Sequence, residues 1–212
     1  MKKTIVCFGD SNTHGYCSAN NGRFSEEERW PCLLEQYLGE QYHVLEEGLS
    51  GRTTVFDDPL YEGLSGLSFL FPCLMTHEPV DLLILMLGTN DVKARFAANA
   101  SNIAKGLERL VQKAITTDAW RDKPRILIIT PAPIDAAYET TMVCGEMGQG
   151  CAEKSQELAP FYQEVAERLG CLYLDAGSID GIRMHPNDYM HLDQESHRLL
   201  AKRLADLIST QL

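Results

Sequence analysis

The chain has 212 residues, 44% of them hydrophobic and 23% charged, with 16 Gly and 9 Pro. That composition excludes intrinsically disordered, collagen-like and coiled-coil classes, and the length makes one domain over residues 1–212 the expectation. Nineteen basic against 30 acidic side chains give a net charge of −11, which argues against a general binder of nucleic acid or anionic membranes.

Taken in chain order, the sequence alternates strands and helices. Thr4–Phe8 is a short apolar run closed by Gly9-Asp10, which predicts a buried strand. Arg29–Leu38 carries Trp30, Leu33, Leu34, Tyr37 and Leu38 at helical spacing, and Tyr42–Leu45 is a second short strand. A loop rich in Gly, Ser, Thr and Asp covers Gly48–Pro59. Leu64–Met75 is apolar enough for a helix that Pro72 would bend. Asp81–Leu87 is a continuous apolar run before Gly88, as expected of a central parallel strand.

Asn102–Ile115 is amphipathic, with Ile103, Leu107, Leu110, Val111, Ala114 and Ile115 on one face. Arg125–Thr130 reads as another strand, stopped by Pro131 and Pro133. Ile134–Gly150 reads as irregular, Glu153–Leu169 as one long helix and Cys171–Leu174 as the last strand. After a loop over Gly177–His191, Asp193–Leu212 forms a terminal helix with Asp193 as N-cap and Leu200, Leu204, Leu207 and Ile208 as its buried stripe. Trp30, Phe69, Phe71 and Met142 are read as core or interface residues.

Five strands interleaved with helices predict a three-layer α/β/α domain around a five-stranded parallel sheet. The N-terminal apolar run is about five residues long, too short for a signal peptide, and no run reaches the roughly 18 residues that span a bilayer. The expectation is a cytoplasmic protein. Seven scattered cysteines, none in a C-x-x-C, fit reduced thiols rather than a disulfide framework or structural zinc.

In such sheets the site lies at the carboxyl ends of the strands, which directs attention to Gly9–Gly15, Gly48–Thr54, Gly88–Asp91 and His185–His191. Together these loops supply a hydroxyl, backbone donors, a side-chain amide, a carboxylate and an imidazole, the inventory of acyl transfer. Ser11, at a Gly-initiated turn, is the candidate nucleophile; its bland alternative is a helix cap. His14 is a conceivable base, three residues on. Gly51 would supply a backbone N–H, with a turn glycine as the alternative, and Asn90 a side-chain donor, with an Asx-turn as the alternative. His191, with Asp188 three residues before it, is the candidate base; otherwise it is a solvated histidine beside a loop carboxylate. The spacing His185-x5-His191-x5-His197 raises a metal site, which the lack of i,i+4 pairs disfavours. No G-x-S-x-G elbow is present, so an α/β-hydrolase is not supported.

Gly-Asp-Ser-Asn-Thr at 9–13, Gly51, Gly-Thr-Asn-Asp at 88–91 and Asp188-x-x-His191, in that order, resemble the SGNH (GDSL-type) hydrolase superfamily. Cys-Phe-Gly-Asp-Ser, Glu-Glu-Gly-Leu-Ser-Gly-Arg-Thr-Thr and Met-Leu-Gly-Thr-Asn-Asp-Val-Lys look like its bacterial arylesterase/acyltransferase branch. The resemblance implies a flavodoxin-like fold and a serine esterase. It implies Ser11 as nucleophile, His191 as general base and Asp188 as its orienter. The oxyanion hole would come from the Ser11 and Gly51 N–H groups and the Asn90 side chain, with Asp10 supporting the nucleophile loop. Asn12 stands where relatives often have Leu, and His14 and Tyr16 where this branch commonly has Trp.

The expected substrates are short-chain, chiefly acetyl, esters of aryl or alkyl alcohols, handled by hydrolysis or acyl transfer. No cofactor or metal and no nucleic-acid or membrane partner is expected, and the resemblance implies a homo-oligomer. The loop Phe56–Gly66 and the Ile134–Gly150 region are expected to border the pocket or to form oligomer contacts. Two other readings stand beside this one. One is a carbohydrate O-acetyl esterase using the same triad. The other is a non-catalytic flavodoxin-like binder whose Gly9–Thr13 loop cradles phosphate at a helix N-terminus.

Overall fold

The computed structural model describes residues 1–211. Its frame is a five-stranded, all-parallel sheet of β1 (Lys3–Gly9), β4 (Tyr42–Gly48), β5 (Leu82–Met86), β6 (Ile126–Thr130) and β7 (Leu172–Asp175), in the order β4-β1-β5-β6-β7. The central runs are apolar at successive positions because both faces of the sheet are covered. Val6, Phe8, Leu83, Leu85, Ile126 and Ile128 face one core. Ile5, Cys7, Leu82, Ile84, Leu127 and Ile129 face the other.

Helices α3 (Gly66–Thr76), α4 (Ala100–Thr116) and α7 (Leu158–Leu169) cover the first face, and α2 (Trp30–Leu38) and α8 (Gln194–Ser209) the second. This is the expected three-layer architecture. The chain steps outward from β1 to β4, then crosses back to β5. Loops leaving β1 and β5 therefore diverge, which opens a crevice at their carboxyl ends. A hairpin of β2 (Tyr16–Cys17) and β3 (Gly22–Arg23) stands apart from the main sheet.

Most predicted elements fall within a few residues of their expected bounds, with several differences. The second strand continues to Gly48, paired with β1 along its whole length. The expected single helix over Glu153–Leu169 is two, α6 (Cys151–Gln156) and α7, parted at Glu157. Pro160 has no N–H to donate to the Gln156 carbonyl, so the helix restarts with Pro160 in a first turn, where no intrahelical donor is needed. The region read as irregular, Ile134–Gly150, holds a 3₁₀ turn (Ala136–Thr140) and α5 (Val143–Met147). Tyr138, fully buried, organises it: its hydroxyl donates to the Gly148 carbonyl (2.8 Å) and accepts the Cys151 N–H (3.0 Å).

Asn99 caps α4 and Asp193 caps α8, each accepting a backbone N–H three residues on. Leu207 is only half-buried and Ile115 is exposed, so each buried stripe is narrower than expected. Leu212, included in the predicted terminal helix, lies outside the described residues. Trp30 is core, whereas Phe69, Phe71 and Met142 are exposed. Among the described residues no helix is long and apolar enough to cross a membrane.

Candidate active site

Ser11 opens a four-residue helix, α1 (Ser11–His14), directly after β1. The turn into it needs glycine at position 9, since a Cβ there would sit 2.0 Å from Thr13 Oγ1 and 2.8 Å from the Met86 carbonyl oxygen. Asp10, not Ser11, is the N-cap: its carboxylate accepts the Asn12 N–H at 2.9 Å. The capping alternative for Ser11 is thereby overturned, and its hydroxyl is free for another partner. That partner is His191, whose Nε2 lies 2.9 Å from Ser11 Oγ.

The other ring nitrogen, Nδ1, lies 2.7 Å from Asp188 Oδ2. The remaining Asp188 oxygen accepts the N–H groups of Met190 (3.0 Å) and His191 (3.1 Å). Burial alone would raise the Asp188 carboxyl; the His191 ring and these two donors together hold it below its ordinary value of 3.8. The three residues thus form one buried hydrogen-bonded chain from hydroxyl to imidazole to carboxylate. The loop beneath is tight: the His185 N–H donates to the His191 carbonyl at 2.7 Å, and Tyr189 sits in the left-handed region at φ 57°.

His14 is not in this chain; its ring is half-buried elsewhere, near Arg23 and Glu46. Nor do the three C-terminal histidines converge. His185 Nδ1 accepts the Asn187 N–H. His197 is fully buried, edge-on to Phe24, and its Nδ1 accepts the Trp30 N–H.

Ser11, Gly51, Asn90 and His191 line one cavity of about 520 Å³. Gly51 has φ 87°, a conformation that disfavours other residues, and a Cβ there would press on Leu64 at 3.0 Å. Its loop is anchored twice. Asn90 Nδ2 donates to the Arg52 carbonyl at 3.2 Å, and Asp91 accepts both the N–H and the hydroxyl of Thr54. Burial pushes the Asp91 carboxyl up to about 7, against the pull of its Thr54 hydrogen bonds. Burial likewise pushes Asp10 up to about 6, against the Asn12 N–H and the nearby His191 and Arg52.

Several contributors were not singled out as site residues from the sequence. Asn12 joins the Ser11 turn to the His191 loop, its Oδ1 accepting the Leu192 N–H at 2.9 Å. Trp30 supports it from behind, donating from Nε1 to the Asn12 carbonyl at 3.1 Å. The Tyr16 ring covers His191 at 4.5 Å between centroids. Opposite, Tyr61, Glu62 and Leu64 come from the Phe56–Gly66 loop, and Val143, Glu146 and Met147 from the Ile134–Gly150 region. Both segments border the cavity.

A four-membered charge cluster ties these walls together. Arg95 pairs with Asp58 (3.0 Å) and Glu146, while Lys93 lies 3.3 Å from Glu146 and 3.8 Å from Asp58. Burial opposes ionisation of both carboxyls, but their cationic partners, with the Leu60 N–H on Asp58, hold them below their ordinary values. Only Lys93 in Gly-Thr-Asn-Asp-Val-Lys lay close enough to a recognised block to be noticed; its partners are remote in sequence.

The GDSL-like lipase/acylhydrolase family pattern matches residues 7–199, which takes in the Ser11 turn, Gly51, Asn90 and the Asp188–His191 loop. The chain belongs to that family. Among solved relatives of this family, a carbohydrate acetylesterase family member from Sinorhizobium meliloti is 39% identical over 98% of each chain, with a TM-score of 0.90. The aryl esterase of M. smegmatis is 36% identical, covering 99% of this chain and all of that one, with a TM-score of 0.91. An acetylxylan esterase of Xylanibacter ruminicola is 25% identical over 97% of this chain. The chain spans 42% of the length of that curated relative. The GDSL-like family to which the chain belongs is one of lipases and acylhydrolases.

Proposed function

We propose that the protein is a serine esterase that cleaves short acyl esters, chiefly acetates, through a covalent acyl-enzyme on Ser11. The reading is carried by the chain Ser11 Oγ–His191 Nε2–Asp188 Oδ2, with separations of 2.9 and 2.7 Å, opening on a cavity that Gly51 and Asn90 also line. His191 takes the Ser11 proton as Oγ attacks the ester carbonyl. The Ser11 and Gly51 N–H groups and Asn90 Nδ2 donate to the oxyanion. The imidazolium, stabilised by Asp188, then protonates the leaving alcohol, and the acyl-enzyme passes its acyl group to water or to another alcohol.

The cavity walls favour a small neutral ester. Leu64, Val143, Met147 and Met190 supply apolar surface, Lys93 and Glu146 neutralise each other, and the exposed Glu62 carboxylate disfavours an anionic substrate. Hydrolysis of p-nitrophenyl acetate by the wild type should fall by roughly 10⁴-fold or more in Ser11→Ala. Wild-type rates should drop as the acyl chain lengthens. Near-wild-type turnover by Ser11→Ala would reject the assignment.

A second reading, deacetylation of carbohydrates by the same residues, draws on the acetylesterase relatives and on the polar groups of Tyr61, Glu62 and Glu146 at the cavity wall. A higher kcat/KM on acetylated sugars than on aryl acetates would select it.

A further inference from the structure

Away from the active-site cavity, Glu47, Cys73 and His77 converge. One donor atom from each, a carboxylate oxygen, a thiol sulfur and an imidazole nitrogen, lies within 4.8 Å of the other two. Glu47 is the penultimate residue of β4; Cys73 belongs to α3, and His77 is the C-cap of that helix. Cys73 and His77 are thus spaced i,i+4, which sets two side chains on one helix face. His77 Nε2 already lies 2.6 Å from Glu47 Oε1.

All three residues are half-buried and line a cleft of about 260 Å³, so a fourth ligand can enter. We propose that Glu47, Cys73 and His77 bind one divalent transition-metal ion of zinc type, with the fourth position open to the cleft.

The chemistry of the donor set selects that class. A thiolate with an imidazole and one carboxylate is the mixed set zinc accepts, whereas magnesium and calcium want oxygen alone. Metal–ligand bonds of about 2.0–2.3 Å put ligand atoms of a tetrahedral site roughly 3.3–3.8 Å apart. The observed separations, 2.6 Å between His77 Nε2 and Glu47 Oε1 and no more than 4.8 Å within the set, bracket that range.

On binding, the Cys73 S–H bond is broken, a sulfur–metal bond forms and the proton leaves to solvent. In the metal-free protein Nε2–H of His77 donates to the Glu47 carboxylate; on binding, that N–H bond breaks, the ring keeps its one proton on Nδ1 by exchange with solvent, and the freed Nε2 lone pair ligates the ion. The carboxylate and thiolate together balance the two charges of the metal. The C-terminal end of α3 adds favourable potential for a cation. Arg52, on the cleft wall, opposes it; its guanidinium is held on the Phe8 ring at 4.1 Å and hydrogen-bonds the Gly9 and Glu47 carbonyls.

The experiment uses the full chain, treated with a chelator and titrated with cobalt(II) as a spectroscopic probe. One equivalent should produce a near-ultraviolet thiolate-to-cobalt charge-transfer band, equally in wild type and in Ser11→Ala, and zinc should abolish it by displacement. Cys73→Ser should lose the band. His77→Gln should weaken cobalt binding by on the order of tenfold or more, since even outer partners of a ligand are worth that. Circular dichroism checks that both variants fold. In the unmutated protein, zinc should protect Cys73 from alkylation, read by mass spectrometry, so the test does not depend on a variant. Absence of the thiolate band at excess cobalt, its persistence in Cys73→Ser, or Cys73 alkylation unaffected by zinc would overturn the site.

Discussion

The base of the active-site cavity and its outer wall are held by different kinds of interaction. At the base, Ser11, Asn90 and Gly51 leave strand ends on turns whose backbone is pinned by buried neutral or capping hydrogen bonds: Asp10 to Asn12, Asn12 to Leu192, Asn90 to Arg52, Asp91 to Thr54. The outer wall is drawn from two long connections, joined by ion pairs among Asp58, Lys93, Arg95 and Glu146 and by the Tyr61 hydroxyl reaching Glu146 at 3.3 Å. The contrast separates reaction from selection. Oxyanion stabilisation needs donors fixed before the charge develops, and that is the part the proposed mechanism gives to the base of the cavity. A wall of long side chains on connecting segments can change its lining without moving a strand.

The contrast is sharpened first at Asn90. Asn90→Ala removes a proposed oxyanion donor, and kcat should fall by about 10²–10³-fold with little change in KM. An equal loss from a wall substitution would erase the distinction between the two regions.

The next effect reaches the base from behind. His197 accepts the Trp30 N–H, and Trp30 in turn holds the Asn12 carbonyl. Burial drives the His197 imidazole down to about 3 from 6.5. Below pH 6.5 the unfolded chain therefore takes a proton that the folded chain refuses until about pH 3, so stability from this group is lost as pH falls through that window. At pH 5 the loss is roughly 2 kcal/mol. Asp10 and Asp91, raised to about 6 and 7, act in the opposite sense: the folded state binds their protons first. Comparing wild type with His197→Gln isolates the histidine. Between pH 7 and 5, denaturant unfolding of the wild type should show about 2 kcal/mol more loss than the variant.

The smallest effect belongs to the wall. Glu146→Gln weakens the pairs to Lys93 and Arg95, and KM for an acetyl ester should rise about 2–10-fold while kcat stays within roughly twofold. A large fall in kcat would mean that the wall also positions the base.

The same division governs what was legible in the sequence. Strands β5 and β6 declare themselves as uninterrupted apolar runs because the sheet is covered on both sides, and the residues just past strand ends carry recognisable short blocks. Ser11 and Asn90 are singled out that way, and Asp188 and His191 by their spacing shortly before the last helix; the structure brings Ser11, His191 and Asp188 into one hydrogen-bonded chain. The Asp10 cap was not distinguished from a Ser11 cap, because either side chain suits that position and only the backbone bond to Asn12 decides it. Asn12 read as a departure from the common residue, whereas it bridges segments 180 positions apart. The Asp58–Lys93–Arg95–Glu146 cluster has no local signature, since its members come from three separate connections that meet only when they fold over the sheet. Tyr138 shows the same limit: one buried phenol orders a stretch whose Met, Thr and Gly content carries no periodicity.

The most direct measurement is intact-mass and peptide-level mass spectrometry after brief exposure to a slowly released serine-reactive fluorophosphonate. The account predicts a single adduct, located on Ser11 and absent from Ser11→Ala. Labelling at another residue, or undiminished labelling of the variant, would contradict it.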